Sequence, residues 1–333
     1  CFIIGEIGLN HNGDLEQAKS LIEIASAAGF DAVKLQSFIP ELRSFPAGKT
    51  AKYVERVLQL EETDYELFRK LALSEEDFVQ LKAFADSIGI ALFSAPFDVQ
   101  SLNQLTAIGL QDFKVASSEL TNHDLMAALG KGKNRIILST GMSSLADIEE
   151  SLRVFIQNGG EDFALLHCVS AYPATGSALN LRAMETMSNC FGCPVGYSDH
   201  MVGDTACIAS VALGAQIIEK HITLNRRTEG PDHALSLEPL EQAKFVTSIR
   251  EIEKALGDGV KQPTPSERTS ELRFRKSLYF SCDKPAGDII TPEDCKLAAP
   301  GFGLLPKFKD YIVGRRLTRS VEAGSPVLAE DLL

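Results

Sequence analysis

Short apolar runs rich in β-branched residues alternate with longer stretches of helical periodicity over the first 256 residues. Eight of these runs have the length and composition of strands buried on both faces. Apolar residues three and four positions apart follow them, as in the stripe from Leu15 to Ala25. The eight predicted strands are 2–7, 31–36, 90–94, 113–116, 135–139, 163–169, 194–197 and 216–222.

Eight strand–helix pairs in about 255 residues are the number found in a (β/α)8 barrel, or TIM barrel. A doubly wound open sheet is the alternative, but no glycine-rich dinucleotide-binding motif follows the first predicted strand. The sequence therefore predicts an α/β protein whose residues 1–256 form the barrel. Residues 38–63 are longer than a usual strand–helix connection and are predicted to form an active-site flap.

The pattern changes after residue 256. Glycines and prolines, followed by a charged run, predict a linker over 257–275. Residues 276–333 are predicted to form a small β-rich domain, with strand-like segments at 277–281, 289–291, 313–317 and 326–328. A module of this size buries only a marginal core, so we expect it to pack on a barrel, either its own or a partner's.

Charge and composition exclude several classes of function. The formal net charge of −12 argues against a nucleic-acid partner, which requires a basic surface. No apolar run is long enough to span a bilayer, and no signal peptide is recognisable, so no membrane association is predicted. The 7 cysteines are scattered and odd in number, which favours free thiols in a reducing cytoplasm.

Polar residues recur where the predicted strands end. In a barrel these ends open on one face, where catalytic residues gather. Any one such residue could be structural, but their recurrence at the same predicted face favours a single site. The candidates are Glu6, Lys34, Gln36, Lys114, Ser117, Ser118, Glu119, Ser139, Tyr172, Ser198, His200 and His221.

Two histidines, His200 and His221, follow or end neighbouring predicted strands, with carboxylates and a lysine beside them. Imidazoles in this arrangement can share one divalent metal and leave coordination positions open for substrate and water. Such a metal would polarise a carbonyl oxygen or activate water. Either histidine alone would more often be an ordinary polar or packing residue, so the prediction depends on the pair.

Ammonium and hydroxyl groups at the same face predict an anionic substrate, with a phosphate and a carboxylate. These groups belong to Lys34, Lys114 and a flap lysine, Lys49 or Lys52, together with Ser117, Ser139 and Ser198. Glu119 lies close to a lysine-bearing strand and could transfer protons. The alternative for Glu119 is a structural carboxylate paired with a lysine.

Six segments, in order along the chain, resemble the sialic acid synthase family, which makes N-acetylneuraminate and related nonulosonates and includes spore-coat polysaccharide biosynthesis homologues. They are Glu6-Ile-Gly-Leu-Asn-His-Asn-Gly13, Phe93-Ser-Ala-Pro-Phe-Asp98, Leu138-Ser-Thr-Gly-Met142, Tyr197-Ser-Asp-His200, Glu219-Lys-His221 and Gly230-Pro-Asp-His233. Residues 276–333, with Pro300-Gly-Phe-Gly303, Val313-Gly-Arg315 and Ala323-Gly-Ser-Pro326, resemble the family's C-terminal antifreeze-like (SAF) domain.

The resemblance implies a (β/α)8 barrel that condenses phosphoenolpyruvate with the open-chain aldehyde of an N-acylhexosamine and releases phosphate. It also implies a homodimer in which each SAF domain covers the partner's barrel. By position, His200 and His221 match ligands of Mn²⁺ or Mg²⁺. Glu119, Glu6 and Lys114 form the implied catalytic set, with Glu219 nearby. Lys114, Ser117, Ser139 and Ser198 match residues that hold phosphoenolpyruvate, and Tyr172 and Asp232 match residues that meet the sugar.

Three residues depart from the family pattern. Ala95 replaces a threonine near the phosphate, Ser170 replaces an asparagine two residues before the substrate tyrosine, and Ala299 replaces an arginine that reaches the neighbouring subunit's sugar pocket. Because the changes concern mainly the sugar-facing set, we expect a modified or longer amino sugar as acceptor instead of N-acetylmannosamine.

Two other functions remain open at this stage. One is a phosphoenolpyruvate–aldose condensing enzyme of the heptulosonate or octulosonate type, which takes a phosphorylated acceptor and is disfavoured by the C-terminal module. The other is a non-catalytic carbohydrate-binding or cold-protective protein on the same fold, which the retained Glu119, His200 and His221 disfavour.

Overall fold

The computed structural model describes residues 1–44 and 64–333. Contacts divide the chain into two compact units, Cys1–Gly257 and Asp258–Leu333. The division falls one residue after the predicted end of the barrel. Lys49, Lys52 and most of the predicted flap lie outside the described residues.

Eight parallel strands close into a barrel within the described part of the first unit, in the order of the sequence. β1 pairs with β2 on one side and with β8 on the other, which closes the cylinder. The predicted (β/α)8 barrel is therefore confirmed. The strands are β1 Phe2–Gly8, β2 Ala32–Ser37, β3 Ala91–Pro96, β4 Asp112–Val115, β5 Arg135–Ser139, β6 Phe163–Cys168, β7 Val195–Asp199 and β8 Ile217–His221.

Amphipathic helices pack their apolar faces against the outside of these strands. In α1, Ala18, Leu21, Ile22 and Ala25 are fully buried and lie in the main apolar core. The helices in the described part of this unit are α1 Leu15–Ala28, α2 Pro40–Arg43, α3 Asp64–Leu71, α4 Glu75–Ile88, α5 Val99–Ala107, α6 His123–Lys131, α7 Leu145–Gln157, α8 Ala183–Phe191, α9 Thr205–Ala212 and α10 Pro239–Leu256.

The inside of the barrel is filled in layers, because alternate residues of each strand point inward. One layer is apolar and consists of Ile4, Ala32, Phe93, Ala164, Leu166 and Ile217, with Ile137 packed against them. Two residues further along β1, β2 and β8 stand Glu6, Lys34 and Glu219, all buried. A charged layer therefore covers the apolar one, toward the carboxyl ends of the strands.

The second unit has a small core of its own, which includes Leu278, Phe280, Ile290, Leu317 and Val327. Its two-stranded sheet pairs β9 Ser277–Phe280 with β10 Cys295–Ala298 in antiparallel fashion. Three predicted strand segments appear only as isolated bridges, namely Ile289 with Arg316, Leu317 with Leu332, and Pro326 with Tyr279.

One strand of this region was missed. β10 is only 4 residues long, and its neighbouring residues Lys296 and Leu297 are both exposed, so burial does not alternate along it. The predicted linker 257–275 contains one helix, α11 Arg268–Phe274.

All seven cysteines have free thiols. Among the described residues, none of the helices combines the length and the apolar composition that crossing a bilayer requires.

Candidate active site

A cavity of about 580 Å³ opens at the carboxyl ends of the barrel strands. Most of the predicted site residues line it, although they come from distant parts of the chain. They are Glu6, Lys34, Gln36, Lys114, Ser117, Ser139, Tyr172, Ser198, His200, His221 and Asp232.

Glu219 is the centre of the charged layer beneath this cavity. Its carboxylate lies 3.2 Å from the Nζ atoms of both Lys34 and Lys114, and it accepts a hydrogen bond of 2.9 Å from the Ser198 hydroxyl. Lys34 also lies 3.2 Å from Glu6. The four charged side chains are each at most 5% exposed, so these ion pairs are shielded from water.

Burial and the neighbouring charges shift the pKa values of these four side chains in different directions. Burial raises the pKa of Glu6, which Lys34 only partly opposes. Burial alone would also raise the pKa of Glu219, but Lys114 and Lys34 outweigh it and lower that pKa. Burial lowers the pKa of Lys114, whereas the two carboxylates raise that of Lys34 in spite of burial. Glu6 is therefore the carboxylate that most readily holds a proton, and Lys114 is the lysine that most readily loses one.

His200 and His221 lie side by side at the cavity, with ring centroids 5.4 Å apart. The Nδ1 atom of His200 lies 2.9 Å from the Val169 carbonyl oxygen, which can only accept, so this nitrogen carries the proton and leaves Nε2 for another partner. The Tyr172 ring packs on His200 at 4.0 Å between centroids. The Nδ1 atom of His221 is buried without a hydrogen-bond partner and lies 3.7 Å from Asp232.

The two imidazoles fit a shared metal ion. A metal ligand must be neutral, and burial lowers the pKa of His221 well below its usual value, which favours a neutral ring with a lone pair on one of its nitrogens. With nitrogen–metal distances of about 2 Å, rings 5.4 Å apart can bind one ion between them. Over residues 1–44 and 64–333, however, no group of three or more His, Cys, Asp or Glu side chains is placed to hold a metal. Remaining ligands would have to be water or substrate.

Lys220 and Asp199 alternate with the cavity residues and therefore point away from the barrel interior. Their side chains form a fully buried ion pair of 2.6 Å, and Asp199 also accepts a hydrogen bond from Tyr197. The pair joins β7 to β8 immediately beside the two histidines, so this lysine holds the strands together outside the cavity.

Glu119 is the one predicted site residue in the described chain that does not line the cavity. It ends the turn Ser117–Glu119, where its carboxylate accepts hydrogen bonds from Asn122 at 2.8 Å and from Ser118 at 3.2 Å. Its predicted catalytic role stays a prediction.

Arg43 lines the cavity and was missed. A single arginine inside the predicted flap belongs to no motif and no strand end, so no pattern in the sequence pointed to it. Of the three residues that depart from the family pattern, Ser170 lines the cavity, Ala95 is buried in β3 opposite Gln36, and Ala299 belongs to the second unit.

Comparison with known proteins agrees with the motifs. The sequence matches the NeuB family over residues 21–261 and the SAF domain over residues 275–333. The N,N'-diacetyllegionaminic acid synthase of Campylobacter jejuni is 40% identical, over 96% of this chain and 96% of its own. Human N-acetylneuraminate-9-phosphate synthase is 32% identical, over 99% of this chain and 92% of its own.

Among solved structures, the N-acetylneuraminic acid (sialic acid) synthetase of Leptospira borgpetersenii is 37% identical. It superposes with a TM-score of 0.72, over 81% of this chain and 89% of its own. The resemblance to sialic acid synthases is thus confirmed, and so is the C-terminal SAF domain. The chain belongs to the NeuB family and is an enzyme related to the acid synthases named above.

Proposed function

We propose that this enzyme condenses phosphoenolpyruvate with the open-chain aldehyde of an N-acyl amino sugar, giving a nonulosonic acid and phosphate. The observation that carries the proposal is one cavity that combines a buried lysine–carboxylate layer with a pair of adjacent histidines. The names of the relatives, which are synthases of legionaminic and neuraminic acids, support the same class of product.

Phosphoenolpyruvate is the ligand for the lysine side of the cavity. Lys34 and Lys114 supply positive charge, and Ser117, Ser139 and Ser198 supply hydroxyl donors. The Ser139 hydroxyl is buried and has no hydrogen-bond partner among the described residues, which is costly unless a ligand provides one. Two carboxylates already balance the positive charges of the two lysines. Binding of a further anion therefore favours protonation of Glu6, whose pKa is raised by burial.

The aldehyde is the ligand for the histidine side. His200 and His221 would hold Mn²⁺ or Mg²⁺, which would polarise the aldehyde oxygen. Tyr172, packed on His200, and Asp232, beside His221, line the space that the sugar would occupy.

In the proposed reaction, the enol carbon of phosphoenolpyruvate attacks the aldehyde carbon and forms the new carbon–carbon bond. The aldehyde oxygen takes a proton, for which protonated Glu6 is suited. Water then adds to the cationic carbon that bears the phosphate and loses a proton to a carboxylate, for which Glu119 stays the predicted base. The bond between this carbon and the bridging oxygen then breaks, the departing phosphate takes the proton of the new hydroxyl group, and a 2-keto acid remains. Fixed lysines stabilise the phosphate charge throughout.

A phosphate-release assay with Mn²⁺ tests the proposal. Release should require an unphosphorylated sugar, with an N-acyl amino sugar as the preferred acceptor, and the variant His200→Ala should abolish it. His123→Ala removes an exposed histidine at the start of α6 and serves as the matched control, with full activity expected. A preference for phosphorylated sugars that lack an N-acyl group would favour the heptulosonate-type alternative, and sugar binding without phosphate release would favour the non-catalytic one.

We also propose that the enzyme is a homodimer in which the SAF unit covers the partner's barrel. Large apolar side chains of this unit are exposed, including Phe302 at 61% and Tyr311 at 70%. Such residues favour burial against another surface.

A further inference from the structure

The guanidinium of Arg43 is held among three aromatic rings at the edge of the cavity. Its central carbon lies 4.3 Å from the ring centroid of Phe38, 4.0 Å from that of Phe68 and 3.7 Å from that of Phe97. Cation–π contacts of this kind attract and orient an arginine. The side chain is therefore fixed in place, unlike an ordinary surface arginine.

Hydrogen bonds anchor the short helix α2 that carries Arg43. The Ile39 N–H donates to Asp98 at 3.2 Å, and the Tyr65 hydroxyl donates to Glu41 at 2.9 Å. Asp98 follows β3 and Tyr65 belongs to α3, so α2 is tied to elements on two sides. The position of Arg43 is thus determined by the fold.

A hydrogen-bonded chain connects Arg43 to the charged layer. Its Nη1 donates to the Gln36 side-chain oxygen at 3.0 Å, and the Gln36 amide nitrogen donates to Glu6 at 3.4 Å. Glu6 in turn lies beside Asp232, since a Cβ atom added at Gly8 would lie 3.0 Å from a carboxylate oxygen of Glu6 and 3.2 Å from one of Asp232. Arg43 therefore acts on the part of the cavity near Asp232, which is the proposed sugar side.

An apolar wall surrounds the guanidinium. Leu9, Leu67, Phe68 and Phe97 line the cavity together with Arg43, and they belong to one cluster of packed apolar side chains. A fixed donor in such a wall suits a group that has a carbonyl oxygen next to a methyl. It suits an anion less well, because the carboxylates of Glu6 and Asp232 are close to the same part of the cavity.

We propose that Arg43 and this wall bind the N-acyl group of the acceptor sugar and thereby set acceptor choice. The guanidinium donates to the acyl carbonyl oxygen, and the acyl methyl packs on the wall. The inference rests on the proposed function, because it names the part of the acceptor sugar that the same cavity recognises. It assigns Arg43 to substrate binding and gives it no part in the chemical steps.

The test uses N-acetylmannosamine as a probe because it carries the simplest form of the N-acyl group, and compares it with mannose, which carries a hydroxyl in place of the acetamido group. In Arg43→Met, the KM for N-acetylmannosamine should rise by roughly tenfold or more, as expected for loss of a hydrogen bond from a charged donor. The KM for mannose should change much less, and the KM for phosphoenolpyruvate should stay within about twofold, since the lysines remain. Arg153→Met, which removes an exposed arginine of α7, is the matched control and should change none of these values.

Arg43→Lys keeps the charge but loses the planar set of donors, so it should also raise the KM for N-acetylmannosamine. This second variant keeps the inference testable if Arg43→Met fails to fold. Thermal unfolding of both variants shows whether either one is destabilised. An equal rise for both sugars, a rise confined to phosphoenolpyruvate, or an effect seen only with a phosphorylated acceptor would overturn the inference.

Failure of the proposed function would give a different result from failure of this inference. In that case the wild-type enzyme would release no phosphate with any sugar. Calorimetric titration of the wild type and of Arg43→Met with N-acetylmannosamine would still test the inference. Weaker binding by the variant would support it, and equal or absent binding would overturn it.

Discussion

The contribution of Glu219 to stability comes from its burial more than from short distances to its lysine partners. Its carboxylate lies between two lysines at 3.2 Å, whereas the exposed pair of Arg135 and Asp112 is closer, at 2.6 Å. Water screens the exposed pair and leaves it with little net energy. In the barrel, each charge depends on its partners, because none of them can regain its hydration.

Replacement of Glu219 by glutamine should therefore destabilise the protein strongly. We expect the free energy of unfolding to fall by about 3 kcal/mol or more, because Lys34 and Lys114 lose a shared buried counter-charge. Asp112→Asn should cost less than about 1 kcal/mol. Urea unfolding at pH 7 measures both, and equal losses would contradict the view that burial decides the energy.

His11 should make the fold sensitive to acid. It is 1% exposed, its Nδ1 accepts from the Gly13 N–H at 3.0 Å, and burial lowers its pKa to about 4. The unfolded chain binds this proton near pH 6.5, so the stability that neutral His11 provides is lost as the pH falls from about 6.5 to 4. The difference between a pKa of 6.5 in the unfolded chain and about 4 in the folded protein corresponds to about 3 kcal/mol in the free energy of unfolding.

His11→Asn keeps a side-chain acceptor for the Gly13 N–H but cannot titrate. The difference in the free energy of unfolding between pH 7 and pH 4.5 should therefore be smaller in this variant than in the wild type. Identical pH profiles would show that His11 does not carry the effect.

Individual site residues could be predicted where they stand at the ends of predicted strands. Lys34, Lys114, Ser198 and the histidines could be named because all strands of a barrel end on one face. Arg43 could not, since its place depends on contacts among Phe38, Phe68 and Phe97, which lie far apart in the sequence. Glu119 follows a predicted strand, yet a local turn directs its carboxylate to Asn122.

At the scale of elements, β7 and β8 form the support of the histidine pair. A Cβ atom added at Gly196 in β7 would lie only 2.1 Å from the backbone oxygen of Ile217 in β8, so this position requires the absence of a side chain. The ion pair of Asp199 and Lys220 joins the same two strands further along. Close strand packing thus fixes the separation of His200 and His221.

Gly196→Ala should push the two strands apart. We expect a loss of about 1–3 kcal/mol in the free energy of unfolding and weaker Mn²⁺ binding, because the histidines separate. Gly176→Ala is the control, since a Cβ there would meet nothing within 4 Å. Electron paramagnetic resonance of free Mn²⁺ measures the binding, and unchanged affinity in Gly196→Ala would contradict this role of the strands.

Elements of the barrel were easier to predict than those of the SAF unit. Barrel strands are buried on both faces and therefore appear in the sequence as continuous apolar runs, such as Leu165 and Leu166 in β6. In the SAF unit, single bridges replace most strand pairing, as between Ile289 and Arg316. Such short contacts impose no repeated pattern on the sequence.

For the whole molecule, the homodimer proposal predicts a mass in solution of about twice the chain mass of 36.1 kDa. The physical reason is the exposed apolar surface of the SAF unit, which gains from burial against a second copy. Light scattering after size-exclusion chromatography gives the mass directly. A mass of one chain at micromolar concentration would contradict the proposal.

The reaction proposed for the cavity joins phosphoenolpyruvate to an N-acyl amino sugar. Its most direct test is to quantify phosphate and the 2-keto acid product in one reaction by ³¹P resonance and mass spectrometry. We expect one sugar-derived 2-keto acid for each phosphate, and neither product when the sugar is omitted. Phosphate released together with pyruvate, or released without any sugar, would contradict it.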